Sequence, residues 1–120
     1  GYDAPHAEVE DDVDCARDVY PVFHEEDIPE EPAAAVEHCR NRLGEVSRAE
    51  HPKVFASLLY RLGKAYLEIA APEDSLENYL KAIDSFTQSL RVYDVNGSPV
   101  EYADIRKQMG LAYVGIARAN

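Results

Sequence analysis

Residues 51 to 70, HPKVFASLLYRLGKAYLEIA, return in altered form at residues 98 to 117 as SPVEYADIRKQMGLAYVGIA. At this offset of 47 the segments share Pro52 with Pro99, Ala56 with Ala103, Gly63 with Gly110, Ala65 with Ala112, Tyr66 with Tyr113, Ile69 with Ile116 and Ala70 with Ala117. Phe55 and Tyr102 add an aromatic pair. A fixed period of roughly 20 to 50 residues marks a chain of stacked units, none of which buries its apolar face except against a neighbour. This repeat constrains the fold more than any other feature, and it says much less about what the chain binds.

Helix signals are strongest where the repeat is strongest. Ser98-Pro99-Val100-Glu101 reads as a capping box with proline at the first helical position, preceded by an Asn96-Gly97 turn. Ala71-Pro72-Glu73 breaks one helix, Asp74-Ser75-Leu76-Glu77 starts the next, and Asp27-Ile28-Pro29-Glu30 is a third start signal. Between them apolar residues recur at helical spacing, as in Phe55, Leu58, Leu59, Leu62, Tyr66 and Ile69, then Leu76, Tyr79, Ala82, Ile83, Phe86, Leu90 and Tyr93. No alternating strand pattern of useful length occurs. Moving back by 47 places Ala35, Val36, Cys39 and Leu43 on Ala82, Ile83, Phe86 and Leu90, and leaves a degenerate stripe of Val9, Val13, Ala16 and Tyr20 further upstream. The chain is therefore expected to be all-α, with helices near residues 6 to 20, 29 to 47, 52 to 70, 75 to 93 and 99 to 118.

A length of 120 residues suits one domain. It divides into an acidic part with a degenerate first helix, residues 1 to 28, and recognisable repeats over 29 to 118. The net charge of −11 sits entirely in the first quarter: residues 1 to 33 hold twelve acids against Arg17 alone, whereas eleven acids meet eleven bases from Ala34 onward. Such a segment repels phosphates and argues against nucleic acid as a ligand. It either solvates the chain or meets a basic partner. No apolar run approaches the roughly 18 to 20 residues that cross a bilayer, and no signal-peptide pattern opens the sequence, so a soluble, cytoplasmic protein with no membrane partner is expected.

Catalysis needs a nucleophile, base or metal in convergent geometry. His6, His24, His38 and His51 form no H-x-x-x-H spacing, and His24-Glu25-Glu26-Asp27 lacks the glycine and alternating ligands of a calcium loop. His38 and Cys39 are consecutive on a helix and point about 100° apart. No enzymatic activity, cofactor or metal site is expected from these residues.

The pattern Leu59, Leu62, Gly63, Tyr66, then Ala82, Phe86 and Ser89, with Pro99 opening the next unit and Met109, Gly110 and Tyr113 repeating the first helix, resembles the tetratricopeptide repeat. His51-Pro52-Lys53-Val54 followed by Ala56 and Leu59 is similar to the longer repeats of kinesin light chains and of prokaryotic repeat arrays. The resemblance implies a right-handed stack of antiparallel helical hairpins, an α-solenoid of about two and a half repeats. Glycine or alanine would stand where helices approach closely. It places Cys15 and Cys39 on facing helices of the first hairpin, as buried free thiols or, alternatively, a disulfide. It implies a non-enzymatic scaffold that binds a protein or peptide across an inner face. That face would present Val13, Arg17 and Tyr20, then Ser57, Tyr60, Lys64 and Leu67, then Asp104, Lys107, Leu111 and Val114. Tyr60 and Lys64 stand where chaperone-binding members carry a carboxylate clamp, so that ligand is not implied. Alternatives are self-association or capping through the C-terminal helix, giving a homo-oligomer, or a regulatory domain of a larger chain.

Overall fold

A computed structural model of the chain describes residues 20 to 120. In chain order these form α1 (Pro32–Glu45), α2 (Pro52–Ala70), a short 3-10 turn (Ala71–Glu73), α3 (Leu76–Ser89) and α4 (Pro99–Ala119), with no strand among the described residues. Of the helix expected over 6 to 20, all but Tyr20, Cys15 included, lies outside them. Proline opens α1, α2 and α4 at the first position, where its missing N–H leaves no helical bond unmade.

The caps differ in detail from those the sequence suggested. α1 starts at Pro32 and not near 29, because proline holds the preceding residue extended: Glu31 has ψ 124° and caps the helix, its carboxylate accepting from the N–H groups of Ala33 (2.7 Å) and Ala34 (3.3 Å). Before α3, Asp74 adopts a left-handed conformation (φ 49°), and Ser75 is the cap instead, its Oγ accepting from Asn78. α3 ends at Ser89 rather than at 93. There the chain tightens into a turn in which the N–H of Tyr93 reaches the carbonyl of Ser89 (3.1 Å), and the Tyr93 ring swings inward to 2% exposure. Ser98 makes no side-chain cap bond, and Glu101, expected to reach back to it, is engaged elsewhere.

The offset of 47 reappears in the turns. Before α2, the N–H of His51 bonds the Ser47 carbonyl (2.9 Å) and the N–H of Glu50 bonds Ser47 Oγ (3.1 Å). Before α4, the N–H of Ser98 bonds the Asp94 carbonyl (2.9 Å) and the N–H of Gly97 bonds Asp94 Oδ1 (2.6 Å). A short oxygen side chain at the same repeat position thus folds both connections and aims both prolines.

α2 packs between α1 and α3, and α4 packs on α3 with a smaller contact to α2. The main core joins Cys39 of α1, Leu58, Tyr60, Leu62 and Tyr66 of α2, Phe86 of α3, Tyr93, and Ile105 and Met109 of α4. Leu58 and Ile105, Leu62 and Met109, and Ala65 and Ala112 are buried in both copies of the repeated helix. Burial pushes the Cys39 thiol up to about 11, so it stays protonated at neutral pH. No described helix is long and apolar enough to cross a membrane.

One side of the repeated helix is used in only one of its copies. A Cβ at Gly63 would lie 2.5 Å from the Phe86 ring, and Tyr66 is buried beneath α3. At the equivalent positions Gly110 has open space around it and Tyr113 is 53% exposed, since no described helix packs there. The expected close contact at Gly110 is therefore absent. Gly115, which carries no repeat signature, makes the close approach instead, against the Tyr79 ring of α3. Gly63→Leu is expected to destabilise by about 1 to 3 kcal/mol through overpacking. Gly110→Ala should stabilise by about 0.5 to 1 kcal/mol, having only the helical backbone to stiffen, while Gly115→Ala destabilises. Urea titrations of the three variants check both signs.

Candidate functional site

The residues expected to face a partner separate into two groups. Lys64 and Leu67 of α2 and Leu111 and Val114 of α4 converge on a cavity of about 380 Å³ that is completed by Glu68, Ala71, Tyr79, Gln108 and Arg118. Lys64 is exposed, Leu67 is half-buried, and Leu111 and Val114 are each about half exposed. Each pair occupies equivalent repeat positions, 64 with 111 and 67 with 114.

Ser57 and Tyr60, in contrast, are buried, because residues 21 to 28 lie across them. This corrects the expectation of an open face at that end. The covering segment has no regular secondary structure. Phe23 stacks on Tyr60 with ring centroids 4.1 Å apart and 8° between planes, and meets Tyr93 edge-on at 5.1 Å and 78°. The N–H of His24 donates to Ser57 Oγ (2.9 Å), and the N–H of Val22 donates to the Glu101 carboxylate of α4 (2.6 Å). Of the other expected face residues, Asp104 accepts from the Tyr60 hydroxyl, and Lys107 is exposed. Tyr20 is 67% exposed, and Val13 and Arg17 lie outside the described residues.

Beneath Phe23 the polar groups form a directed chain. Ser57 Oγ receives the His24 N–H and lies 2.6 Å from Tyr93 Oη, and the Tyr93 hydroxyl donates to the carbonyl of Lys53 (3.1 Å). With the Tyr93 proton committed to Lys53, Ser57 is the donor to Tyr93. Burial raises the pKa of both tyrosines above the ordinary value, and for Tyr60 the Asp104 carboxylate adds to it. Both phenols stay protonated and act as hydrogen-bond donors, Tyr60 to Asp104 and Tyr93 to the Lys53 carbonyl. No buried side-chain polar atom among the described residues is left unpaired.

The third anchor is ionic. Glu26 accepts from Arg42 through Nε (3.1 Å) and Nη2 (3.1 Å), and from His38 Nε2 at 2.7 Å. His24 Nε2 is 3.5 Å from the same carboxylate. The Arg42 bonds hold the Glu26 carboxyl down at about 2, outweighing its partial burial, and His38 adds to the effect. The acidic cluster at His24 to Asp27 is thus tied to a cation of α1. Among the described residues no group of three or more His, Cys, Asp or Glu is placed to hold a metal ion.

Comparison of the chain with models of known protein families, with curated proteins and with solved structures finds no match in any of the three. Sequence reasoning missed Phe23, Glu26, Arg42, Tyr93 and Glu101 as a group. The only signal at hand was Phe23 itself, an aromatic residue inside an acidic run with no helical stripe to belong to.

The sign of the Glu26 linkage is definite. Its folded-state value lies below the unfolded one, so the stabilisation is present above pH 4.5 and is lost as pH falls toward 2. Glu26→Gln should melt below wild type at pH 7, with the gap closing between pH 4.5 and about 2. Paired thermal melts across that range check it.

Proposed function

We propose that this chain is a non-enzymatic interaction domain, built as a tetratricopeptide-like stack of helical hairpins, that binds a peptide or protein on the face shared by α2 and α4. The observation that carries this reading is the convergence of Lys64, Leu67, Leu111 and Val114, two equivalent positions from each copy of the repeated helix, around one open concavity. Apolar side chains with a few charged groups at the margin suit a protein ligand, since apolar contact supplies affinity and the rim charges supply orientation. Lys64 and Arg118 against Glu68 leave the rim of the apolar centre with a net positive charge, which favours a partner with an acidic residue beside an apolar one.

A second reading is favoured by Tyr113. It sits on the side of α4 that corresponds to the α3-covered side of α2, and 53% of it is exposed. Self-association through that side is the alternative occupant of the chain's apolar surface.

Affinity capture on the immobilised chain separates the two. Binding through the concavity predicts that Lys64→Glu combined with Leu111→Glu weakens partner retention about tenfold or more, as for residues at the centre of an interface. Tyr113→Glu would leave it unchanged. Retention insensitive to the double change, together with a concentration-dependent dimer abolished by Tyr113→Glu in sedimentation, would transfer the function to α4.

A further inference from the structure

Residues 22 to 26 cross three helices in order. Val22 is bonded to Glu101 of α4, Phe23 and His24 are seated on Tyr60 and Ser57 of α2, and Glu26 is held by Arg42 and His38 of α1. The extended chain makes this crossing by offering the alternate backbone N–H groups of Val22 and His24 and the two anchoring side chains of Phe23 and Glu26. Three features separate it from an ordinary connecting loop. It contributes no turn of helix and no helix cap, the caps of α1 and α2 being made by other residues. The groups that receive it are fixed by bonds of their own, Tyr93 to the Lys53 carbonyl and Tyr60 to Asp104, and do not depend on the segment for their position. The seats also continue without a break into open surface, for Lys64 lies 5.3 Å from the Tyr60 ring on which Phe23 is stacked and also lines the open concavity.

We propose that residues 21 to 28 are an intramolecular ligand, a displaceable strap that occupies one end of the binding face. The partner of that face is then a peptide of the same chemistry, an aromatic residue followed three positions later by a carboxylate. This inference rests on the reading of the α2 and α4 face as a peptide-binding surface, and it specifies that surface further. The seats define the ligand. The Tyr60 and Tyr93 rings offer one stacked and one edge contact to an aromatic side chain. Ser57 Oγ accepts the backbone N–H of the residue after it, and Arg42 with His38 reads a carboxylate at the distance Glu26 spans. The strap is tethered only a few residues from Pro32, so its effective concentration at the site is in the millimolar range. A peptide from another molecule has to compete with it, and the open concavity beside Lys64 is where such a competitor gains its first hold.

The test uses the full 120-residue chain and a fluorescein-labelled peptide of residues 20 to 31, read by fluorescence anisotropy. Phe23→Ala removes the anchor of the internal strap while leaving every seat in place. The variant should bind the peptide about tenfold or more tightly than wild type, and a control peptide with alanine at position 23 should bind neither protein. Equal affinity for the two proteins, or no binding to either, overturns the proposal. So does loss of helical circular dichroism in Phe23→Ala, which would make the segment an indispensable part of the core. Hydrogen exchange gives an independent measure on the unaltered chain: the His24 amide should exchange at least an order of magnitude faster than that of Leu62 in α2, and equal protection would show that the strap opens only with global unfolding. Adding Leu111→Glu to Phe23→Ala should leave capture of the short peptide intact. Failure of the strap is thereby read separately from failure of the open concavity as a binding surface.

Discussion

The arrangement depends on how closely α3 approaches α2 at Gly63. Phe86 closes over a backbone that has no side chain to hold it off, and this approach lets Ser89, one turn further along, donate to the carbonyl of Ala56 at 2.9 Å. With the end of α3 fixed there, the turn that follows places Tyr93 between α2 and the covering segment, where it meets Ser57 and the Lys53 carbonyl. Phe23 and His24 then find a finished surface of two rings and one hydroxyl. A displacement of α3 by even one methyl group would separate this series of contacts, since close-packed interiors have no slack to absorb it.

The two copies of the repeated helix illustrate how one pattern serves two situations. Leu58, Leu62 and Ala65 of α2, and Ile105, Met109 and Ala112 of α4, are core in both, because each set faces elements that precede its helix in the chain. Leu59, Gly63 and Tyr66 are buried under α3, whereas Arg106, Gly110 and Tyr113 are exposed on α4. The substitution of arginine for leucine at 106 is consistent with a side that meets water rather than a following helix. Equivalent positions of the two copies carry unlike residues, Lys64 with Leu111 at the concavity and Ser57 with Asp104 at the end where residues 21 to 28 lie, so the repeat keeps its packing and varies its surface.

Charge is handled in a similarly divided way. Two acids of residues 20 to 31 are engaged, Glu26 with Arg42 and His38 and Glu31 as the cap of α1, while Glu25, Asp27 and Glu30 are exposed. Ion pairs at partly exposed positions contribute little individually, and the aromatic stack of Phe23 supplies the apolar contact that orders the segment. The bidentate Arg42 fork then sets its direction and register, which a lone apolar contact does not do.

The sequence by itself determined that the described residues are helical without strands and where their four helices fall to within a few residues, because helical periodicity and proline placement are local and the offset of 47 doubles each signal. The resemblance to a known repeat placed Lys64, Leu67, Leu111 and Val114 on one face with Ser57, Tyr60, Asp104 and Lys107, and the first four line one concavity. Only the tertiary structure decided that Ser57 and Tyr60 are covered, that Gly115 rather than Gly110 is the second close contact, and that Glu101 abandons its cap for Val22. Each of these turns on residues far apart in the chain meeting in space, as Phe23 meets Tyr60 and Tyr79 meets Gly115. No local propensity encodes such a meeting. The aromatic side chain in the acidic segment was visible from the start, but its destination depended on a surface that exists only once α1, α2, α3 and α4 have packed.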